Sequence, residues 1–329
     1  MAVKVISPGL STSVQDLGRP GHYHVGIPEG GGMDRFATRI ANLLVGNDPG
    51  AAVLEATFMG PELEFTQSAV VAVTGGELPP KLNGEERSTW ESFPVKAGDR
   101  LSFGFLKSGA RAYLAVSGGI DVPVVLGSRS TYILGALGGH QGRTLKAGDE
   151  LPLGEGSGKA GLSLPANLRR ARNSPAELRM LPGIYWHRIT EAAGNRFFEE
   201  TWKVAPEADR IGYRFRGGTP LEFVEREQPF GAGSDPSNIV DACYPYGSVQ
   251  VPSGTEPIVL HRDAVSGGGY MMLGVVISAD MDLIAQLQPH TPARCSVRAA
   301  SASSSVTGTK RAGVCGWSWA IRSMSADIT

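Results

Sequence analysis

Apolar residues recur along the first half of the chain in short runs that are separated by turn residues. The first run, at 3–6, is stopped by Pro8-Gly9, and pairs such as Asn83-Gly84 punctuate the later ones. Short apolar runs bounded by Gly, Pro and Asn predict strands that are joined by tight turns. The later runs cover residues 52–58, 63–65 and 69–73.

The clearest helical pattern covers residues 33–45, where Phe36, Ile40 and Leu44 recur at helical spacing. Asp34 stands at the start of this pattern. A carboxylate at that position accepts hydrogen bonds from the free N–H groups of the first turn, so we expect Asp34 to cap the helix. Shorter helical patterns cover residues 191–202 and 279–287.

The second half again reads as strands, and residues 154–172, rich in Gly, Ser and Ala, are predicted to connect the halves. From Cys295 onward the strand pattern stops. The strands are expected at 178–181, 211–216, 221–224, 249–251, 258–260 and 271–277. The predicted units are an N-terminal subdomain at 1–160, a C-terminal subdomain at 175–298, and an atypical, poorly ordered tail at 299–329.

One tetrapeptide occurs twice, as Lys-Ala-Gly-Asp at 96–99 and again at 146–149. Each copy comes directly before an alternating strand pattern. Gly permits a tight turn and Asp hydrogen-bonds the local backbone, so we interpret the repeat as a shared way of entering a strand.

Composition narrows the class of protein. The chain has 329 residues, which suits about two domains, and a net charge of −1. This charge does not favour nucleic acid or an anionic membrane as a partner. No apolar run is long enough for a signal peptide or a membrane-spanning helix. The three cysteines have no metal-ligand spacing, and they suit a reducing, cytoplasmic compartment.

Common catalytic motifs do not account for the polar residues. The glycine runs at 30–32 and 267–269 let backbone approach a ligand, but neither continues as a P-loop. Ser266 has no nucleophile-elbow frame, so a serine-hydrolase triad is not expected. His22 and His24 lack a third metal ligand. His261 and Asp263 are the better candidates for an acid/base pair.

Ordered sequence blocks carry a resemblance to a known family. The first is SVQDLGRPG at 13–21, and the blocks follow one another over roughly residues 3–289. They lie at 13–21, 26–28, 32–36, 41–47, 54–55, 117–123, 126–132, 137–143, 181–183, 209–214, 247–252, 257–260 and 268–270. In this order they resemble the family of allophanate hydrolase subunit 2, the C subunit of 5-oxoprolinase and the urea carboxylase carboxyltransferase domain.

The resemblance implies a mainly β fold with a few helices, arranged as tandem cyclophilin-like β-barrel units. It also implies work beside a smaller homologous subunit, of the type of allophanate hydrolase subunit 1 or the B subunit of 5-oxoprolinase, with a possible LamB-like third subunit. One branch of the family opens a lactam with ATP, which the complex binds. The other branch transfers CO₂ to urea or a similar amide from carboxybiotin carried on a partner. A third possibility is a regulatory protein that sequesters its smaller homologue. No metal site is expected.

Two regions of the sequence indicate which of the two functional branches the chain resembles. The loop at 262–270 is similar to urea carboxylases, as is His140 in Gly-Gly-His, whereas the block at 13–21 is similar to the 5-oxoprolinase type. Members of the family usually continue after Gln288-Pro289 with Gly-Asp and a closing strand. This chain has His-Thr-Pro at 290–292 instead, so the last strand of the second barrel is in question.

Candidate site residues follow from the matched blocks and from side-chain chemistry. Both reactions need donors for a developing oxyanion and a way to move a proton. Arginine suits carboxylate or carbonyl oxygens, and glutamine can both donate to and accept from an amide. The catalytic candidates are Gln15, Arg19, His140, Arg143 and Asp263. The substrate-binding candidates are Arg210, Tyr213, Gln250, Ser266, Gly268, Gly269 and Tyr270.

Overall fold

The computed structural model describes residues 2–297, and the first half of this chain forms two antiparallel sheets. Its strands are β1 (Ala2–Ser7), β2 (Ser11–Gln15), β3 (Val53–Thr57), β4 (Glu62–Phe65), β5 (Ala69–Glu77), β6 (Pro80–Leu82), β7 (Glu85–Glu86), β8 (Ser92–Val95), β9 (Arg100–Phe103), β10 (Ser108–Val116) and β11 (Glu150–Pro152). The six-stranded sheet has the order β11-β1-β4-β9-β6-β7, and the five-stranded sheet has the order β2-β3-β10-β5-β8.

The five-stranded sheet is covered on both faces. Along β5, Val71 and Val73 pack in the core between the two sheets, whereas Val70 and Ala72 pack in a second core with the helix α1 (Arg35–Leu44). A strand buried on both faces is apolar without alternation. β10 (Ser108–Val116) is buried in the same way, but it was not predicted because Gly109 and Arg111 interrupt its apolar run.

Helix α1 begins and ends close to its predicted limits. The carboxylate of Asp34 accepts a hydrogen bond of 2.9 Å from the backbone N–H of Ala37, so the predicted cap is confirmed. The cap at Asp34 fixes the end of the glycine run at 30–32, and this run is part of the site described below.

The second half closes into a barrel of seven strands in the order β12-β19-β16-β17-β14-β13-β20. A two-stranded ribbon of β15 and β18 lies outside this order. The strands are β12 (Ala176–Pro182), β13 (Trp202–Val204), β14 (Gly212–Arg216), β15 (Asn238–Cys243), β16 (Ser248–Gln250), β17 (Ile258–Leu260), β18 (Gly267–Tyr270), β19 (Met272–Val276) and β20 (Pro292–Val297). The mainly β prediction is confirmed.

Two further helices accompany the barrel, α2 (Glu191–Glu199) and α3 (Ser278–Ile284). Both lie where helices were predicted, although α2 ends before residue 202, which belongs to β13. The predicted strand at 221–224 is wrong. In this segment only Phe223 forms a β-bridge, and its partner is Ile189. Leu221 packs into the barrel core, and its backbone N–H donates to the carbonyl of Gly254 instead of to a neighbouring strand.

The closing strand of the barrel is present, which corrects the expectation from the sequence after Pro289. β20 pairs in parallel with β12 and antiparallel with β13, so neither neighbour is left with an open edge. Ala293 and Cys295 face the core, at 2% and 8% exposure. The signal was weak because the inward residues are small.

The repeated Lys-Ala-Gly-Asp tetrapeptide is the local turn that was predicted. Asp99 and Asp149 each accept a hydrogen bond from the backbone N–H three residues earlier, at 2.8 and 2.7 Å. Gly98 and Gly148 have φ of +87° and +88°, which glycine adopts without steric cost.

None of the helices within residues 2–297 is long and apolar enough to cross a membrane. The predicted tail at 299–329 lies outside the described residues. The proposed boundaries of the two subdomains stay predictions.

The closing strand gives a matched pair of variants on adjacent positions. Cys295→Asp would place a carboxylate in the barrel core, and we expect it to lower the free energy of unfolding by about 3 kcal/mol. Ser296→Asp, on the outward face, should change it by about 0.5 kcal/mol or less. Urea denaturation measures both. Equal effects would contradict the inward and outward assignment.

Candidate functional site

A buried ionic network joins the two halves of the chain. The guanidinium of Arg210 binds both carboxylate oxygens of Asp263, at 2.8 and 3.0 Å. Its Nη1 donates to Glu55 Oε1 at 2.5 Å, and its Nη2 donates to the carbonyl of Gly31 at 2.8 Å. Burial alone would lower the pKa of Arg210, but Asp263 and Glu55 outweigh it and raise the pKa. Arg210 is therefore a permanent cation at this junction.

Glu55 links this network to the first half. It lies on β3 beside Arg111 of the neighbouring strand β10, with Arg111 Nε 3.9 Å from its Oε1. It also accepts the backbone N–H of Met33 at 2.8 Å. Burial would raise the pKa of Glu55, yet Arg210 and Arg111 lower it overall. The carboxylate is thus kept ionised by two arginines from different halves.

Arg111 and Tyr213 form a second link across the junction. Arg111 donates to the hydroxyl of Tyr213 on β14 and to the carbonyl of Ala285 at 2.7 Å. Both side chains are nearly fully buried. Tyr213, a predicted substrate-binding residue, is therefore part of the packing between halves.

Arg19 lies next to the network and is only 1% exposed. Its Nη2 donates to the carbonyl of Ser130, but Nε and Nη1 have no partner within residues 2–297. Burial lowers the pKa of Arg19, and the charges of Asp16 and Asp263 oppose that change. Buried donors are almost always paired, so the open donors of Arg19 make it a candidate for contact with a ligand, although the Nε atoms of Arg35, Arg111 and Arg262 are likewise buried without a partner in the described chain.

Asp16 does not pair with Arg19, because its carboxylate is held by four other donors. It accepts the hydroxyls of Ser128 and Ser130 and the backbone N–H groups of Gly18 and Arg129, at 2.5–2.7 Å. These bonds hold the 128–131 segment against the end of β2. Gln15 adds one more, from its Nε2 to the carbonyl of Thr131 at 3.2 Å. Within the described chain its Oε1 is buried without a partner.

A cleft of about 280 Å³ opens beside the network. Arg111, Arg210 and Asp263 contribute charged groups to its wall. Ile133 and Leu134, which are exposed, line the same cleft from the first half. The cleft therefore combines fixed charges with an apolar lip, as small-molecule sites commonly do.

The start of α1 forms the other side of the junction. Gln286 Nε2 donates to Asp34 Oδ2 at 2.9 Å, and Gln286 Oε1 accepts the N–H groups of Ala110 and Arg111. Asp282 of α3 accepts the N–H of Arg35 at 3.0 Å. Burial and the nearby charge of Asp282 raise the pKa of Asp34 to about 7.

The predicted site residues fall into three groups. Arg19, Asp263 and Arg210 come together, with Gln15 close by in the same loop system. His140 and Arg143 instead contact Asp149, at 3.4 and 2.7 Å, where they brace the second Lys-Ala-Gly-Asp turn.

The third group surrounds the ribbon of β15 and β18. Tyr244 exchanges two hydrogen bonds with the backbone of Tyr270, and its N–H donates to the carbonyl of Ser266. Gln250 pairs with Met272 in the barrel. Gly268 pairs with Ala242 in the ladder, and Gly269 lies between Gly268 and Tyr270. The hydrogen bonds of this group lead to the ribbon and the barrel, away from Arg19 and Asp263.

The acid/base interpretation of His261 is not supported by its surroundings. The ring is fully buried, its Nε2 lies 3.1 Å from the carbonyl of Met281, and its Nδ1 accepts the N–H of Arg262. Burial and the charge of Arg262 lower the pKa of His261 well below its ordinary value. A neutral ring with both nitrogens occupied serves packing.

Sequence reasoning missed Glu55, Arg111 and Gln286. The available signal was a charge inside an apolar strand, since Glu55 lies in the predicted run at 52–58 and Arg111 lies among buried residues of β10. Within residues 2–297 there is no group of three or more His, Cys, Asp or Glu residues that could hold a metal ion.

Comparisons with known proteins agree on one family. The family model described as carboxyltransferase domain, subdomain A and B, matches residues 25–296. The C subunit of 5-oxoprolinase from Escherichia coli (strain K12) is 38% identical over 301 residues, or 91% of this chain and 93% of that protein. The urea amidolyase of Lachancea kluyveri is 37% identical over 306 residues, which cover 88% of this chain but only 16% of that protein.

A solved structure, that of the Kluyveromyces lactis urea carboxylase, superposes with a TM-score of 0.84 at 36% identity. The superposition covers 89% of this chain and 27% of the carboxylase. The chain therefore shares its fold with part of this carboxylase.

Removing one charge tests the network. Glu55→Gln leaves Arg210 and Arg111 without their shared carboxylate, so we expect it to lower the free energy of unfolding by about 3 kcal/mol. Glu64→Gln, which removes one of the two carboxylate partners of the exposed Arg100, should cost about 1 kcal/mol or less. Urea denaturation at neutral pH compares them, and a similar loss in both variants would contradict a buried network.

The raised pKa of Asp34 predicts a pH dependence of stability. The folded state holds the proton more tightly than the unfolded state, so this contribution is fully present below pH ~4 and is lost as the pH rises to about 7. Asp34→Asn can still cap the helix but loses the acceptor for Gln286 Nε2. Because it lacks the titrating group, we expect its stability relative to the parent protein to rise between pH 5 and pH 8 by on the order of 2 kcal/mol.

The test is chemical denaturation at pH 5 and pH 8. The exposed Asp121→Asn is the control. An equal pH slope for the parent protein and Asp34→Asn would overturn the assignment.

Proposed function

The chain belongs to the carboxyltransferase domain, subdomain A and B, family, and we propose that it is one subunit of an ATP-dependent 5-oxoprolinase, acting with a smaller homologous subunit. In this reaction the amide bond of a lactam is hydrolysed, and 5-oxoproline becomes glutamate. The proposal includes a possible third, LamB-like subunit and a cytoplasmic location.

The extent of the match to one relative supports this choice. The alignment spans 93% of a protein named as a single subunit of a 5-oxoprolinase. The match to urea amidolyase spans 16% of a much longer protein, so most of the sequence of that protein has no counterpart in this alignment.

The observation that carries the proposal is the buried guanidinium of Arg19, with two open nitrogens, close to the carboxylate of Asp263 at the junction. A buried guanidinium with open N–H groups can donate to an amide oxygen, and it stabilises negative charge that develops there during attack by water. The carboxylate of Asp263 is fixed by Arg210 and can accept from the amide nitrogen. This chain then binds and orients the lactam.

The glycine run at 30–32 does not fit a phosphate cradle. The N–H of Gly30 donates to the carbonyl of Arg262 at 3.0 Å, and the N–H of Gly32 donates to the carbonyl of Asp16 at 2.8 Å. A phosphate-binding loop needs such groups free. The proposal therefore assigns the ATP contacts to the other subunits, and no step on this chain passes through the nucleotide.

A second candidate is a biotin-dependent carboxyltransferase subunit that moves CO₂ from carboxybiotin, carried on a partner, to urea or a similar amide. The TM-score of 0.84 with a urea carboxylase favours it, as does the loop at 262–270. Arg19 would then face a ureido oxygen in place of a lactam oxygen.

Co-expression with the smaller subunit and the LamB-like protein decides between these functions. We expect 5-oxoproline to stimulate ATP hydrolysis and to yield glutamate, whereas urea should have no effect. The chain with either partner omitted is the control.

Carboxylation of urea in the presence of a biotin carboxylase and carboxybiotin would replace the first function by the second. Stimulation by neither substrate would contradict both functions and leave a regulatory role as the alternative.

A further inference from the structure

A second cavity, of about 300 Å³, lies where the connector between the halves passes the end of α3. Residues from three segments line it, within 107–109 around the start of β10, within 171–177 of the connector and β12, and within 283–291. None of these residues lines the cleft of about 280 Å³ described above. The cavity is therefore separate from the candidate site, and its size lies at the lower end of the range of small-molecule pockets.

Part of the wall of this cavity is apolar. Leu283 of α3, Leu287 and Ala176 of β12 contribute their side chains. Leu287 and Ala176 belong to the barrel core, whereas Leu283 is only half-buried. A ligand body that covers Leu283 removes apolar surface from water, which favours binding.

Most polar groups of the wall are already committed to other partners. Both ends of the Gln286 amide are used at the junction between the halves. Gln288 Nε2 donates to the carbonyl of Gly109 at 2.6 Å. The hydroxyl of Ser108 accepts from Arg172 Nη1 at 2.8 Å. These groups therefore shape the cavity and leave the recognition of a polar ligand to Arg172.

Arg172 is a cation that forms no salt bridge within residues 2–297. Its two Nη atoms donate to neutral acceptors, the hydroxyl of Ser108 and the carbonyl of Gly75, and its Nε makes no hydrogen bond in the described chain. A Cβ on Gly109 would lie 3.2 Å from its Cζ, so the guanidinium is seated against the backbone of β10. A guanidinium held in place by neutral partners keeps its charge available for an anion.

The electrostatic surroundings agree with this assignment. Burial lowers the pKa of Arg172, and the charges of Asp34 and Glu77 oppose that change without reversing it. An anion beside the guanidinium would supply the missing opposite charge.

Two further charged residues line the cavity. Lys107 lies 3.7 Å from Glu86, and both side chains are exposed. Glu177 lies on the exposed face of β12 and forms no salt bridge with the part of the chain that the structure describes. Glu177 repels a negative group and Arg172 attracts it, so the two charges give a ligand its direction.

We propose that this cavity binds a small organic carboxylate with an apolar body, its carboxylate accepting from Arg172 Nε and its body covering Leu283. A body of roughly four to six carbon atoms suits a pocket of this size. The inference does not rest on the proposed function, because its ligand, its residues and its measurement all differ from those of lactam hydrolysis.

Three probes separate the two parts of such a ligand. Hexanoate carries a carboxylate and an apolar body, acetate lacks the body, and hexan-1-ol lacks the charge. We expect the full chain to bind hexanoate ~10- to 100-fold more tightly than either of the others. Ligand-observed NMR titration at neutral pH measures the three affinities. Equal affinity for hexanoate and one of the other two probes overturns the proposal.

Two variants locate the binding. Arg172→Gln should lose the preference over hexan-1-ol and keep the preference over acetate, because only the charge is removed. Leu283→Gln should show the reverse. The control is Arg169→Gln, since Arg169 is a connector arginine that donates to the carbonyl of Leu164 and lines a neighbouring cleft instead.

The control should keep both preferences. Thermal denaturation establishes that each variant folds, and if one of the two variants fails to fold, the other decides. Unchanged preferences in a folded Arg172→Gln or Leu283→Gln overturn the proposal.

A third variant tests the direction of the ligand. Glu177→Gln removes a repelling charge that is exposed and screened by salt, so hexanoate should bind equally well or up to ~10-fold more tightly. Weaker binding of hexanoate to Glu177→Gln would contradict a carboxylate placed at Arg172.

Discussion

The structure depends on the burial of opposite charges between its two halves. Moving a charge from water into a protein interior costs several kcal/mol unless a partner of opposite sign is held in good geometry. Glu55 and Arg111 come from one half, and Arg210 and Asp263 from the other. Glu55 depends on the other half, because Arg111 Nε lies 3.9 Å from it whereas Arg210 Nη1 donates to it at 2.5 Å. The network therefore fixes how the halves meet.

Several polar side chains around this network use most of their hydrogen-bonding atoms, and Arg19 differs from them. Gln286 uses both its donor and its acceptor atoms across the junction, and Asp16 accepts four hydrogen bonds. In the described chain Arg19 leaves two nitrogens, Nε and Nη1, without a partner, whereas Arg35, Arg111 and Arg262 each leave only Nε. Local conflict with the rules of stable packing is common at functional sites.

The helices, strands and turns were predicted from the sequence better than the contacts between the two halves. Turn residues and helical spacing placed β1, α1 and both Lys-Ala-Gly-Asp turns, because these depend on neighbours along the chain. Block resemblance placed Arg19, Asp263 and Arg210 in one list, but it also listed His140 and Tyr270, whose contacts lie elsewhere. Glu55 and Arg111 escaped notice because burial of a charge is decided by the opposing half. The closing strand β20 escaped because alternating Ala and Cys gives a faint pattern.

The position of β20 also affects how the molecule is made. It joins β12 to β13, yet it follows every other barrel strand in the sequence. Contacts between segments that are distant along the chain form slowly. During synthesis the first half can assemble while both edges of the unfinished barrel remain open. Glu55 and Arg111 then remain hydrated until Arg210, Tyr213 and Ala285 of the second half pack against them. Folding of the second half and desolvation of the ionic junction become one late event, and this interval is when the chain is most exposed to aggregation through its open edges.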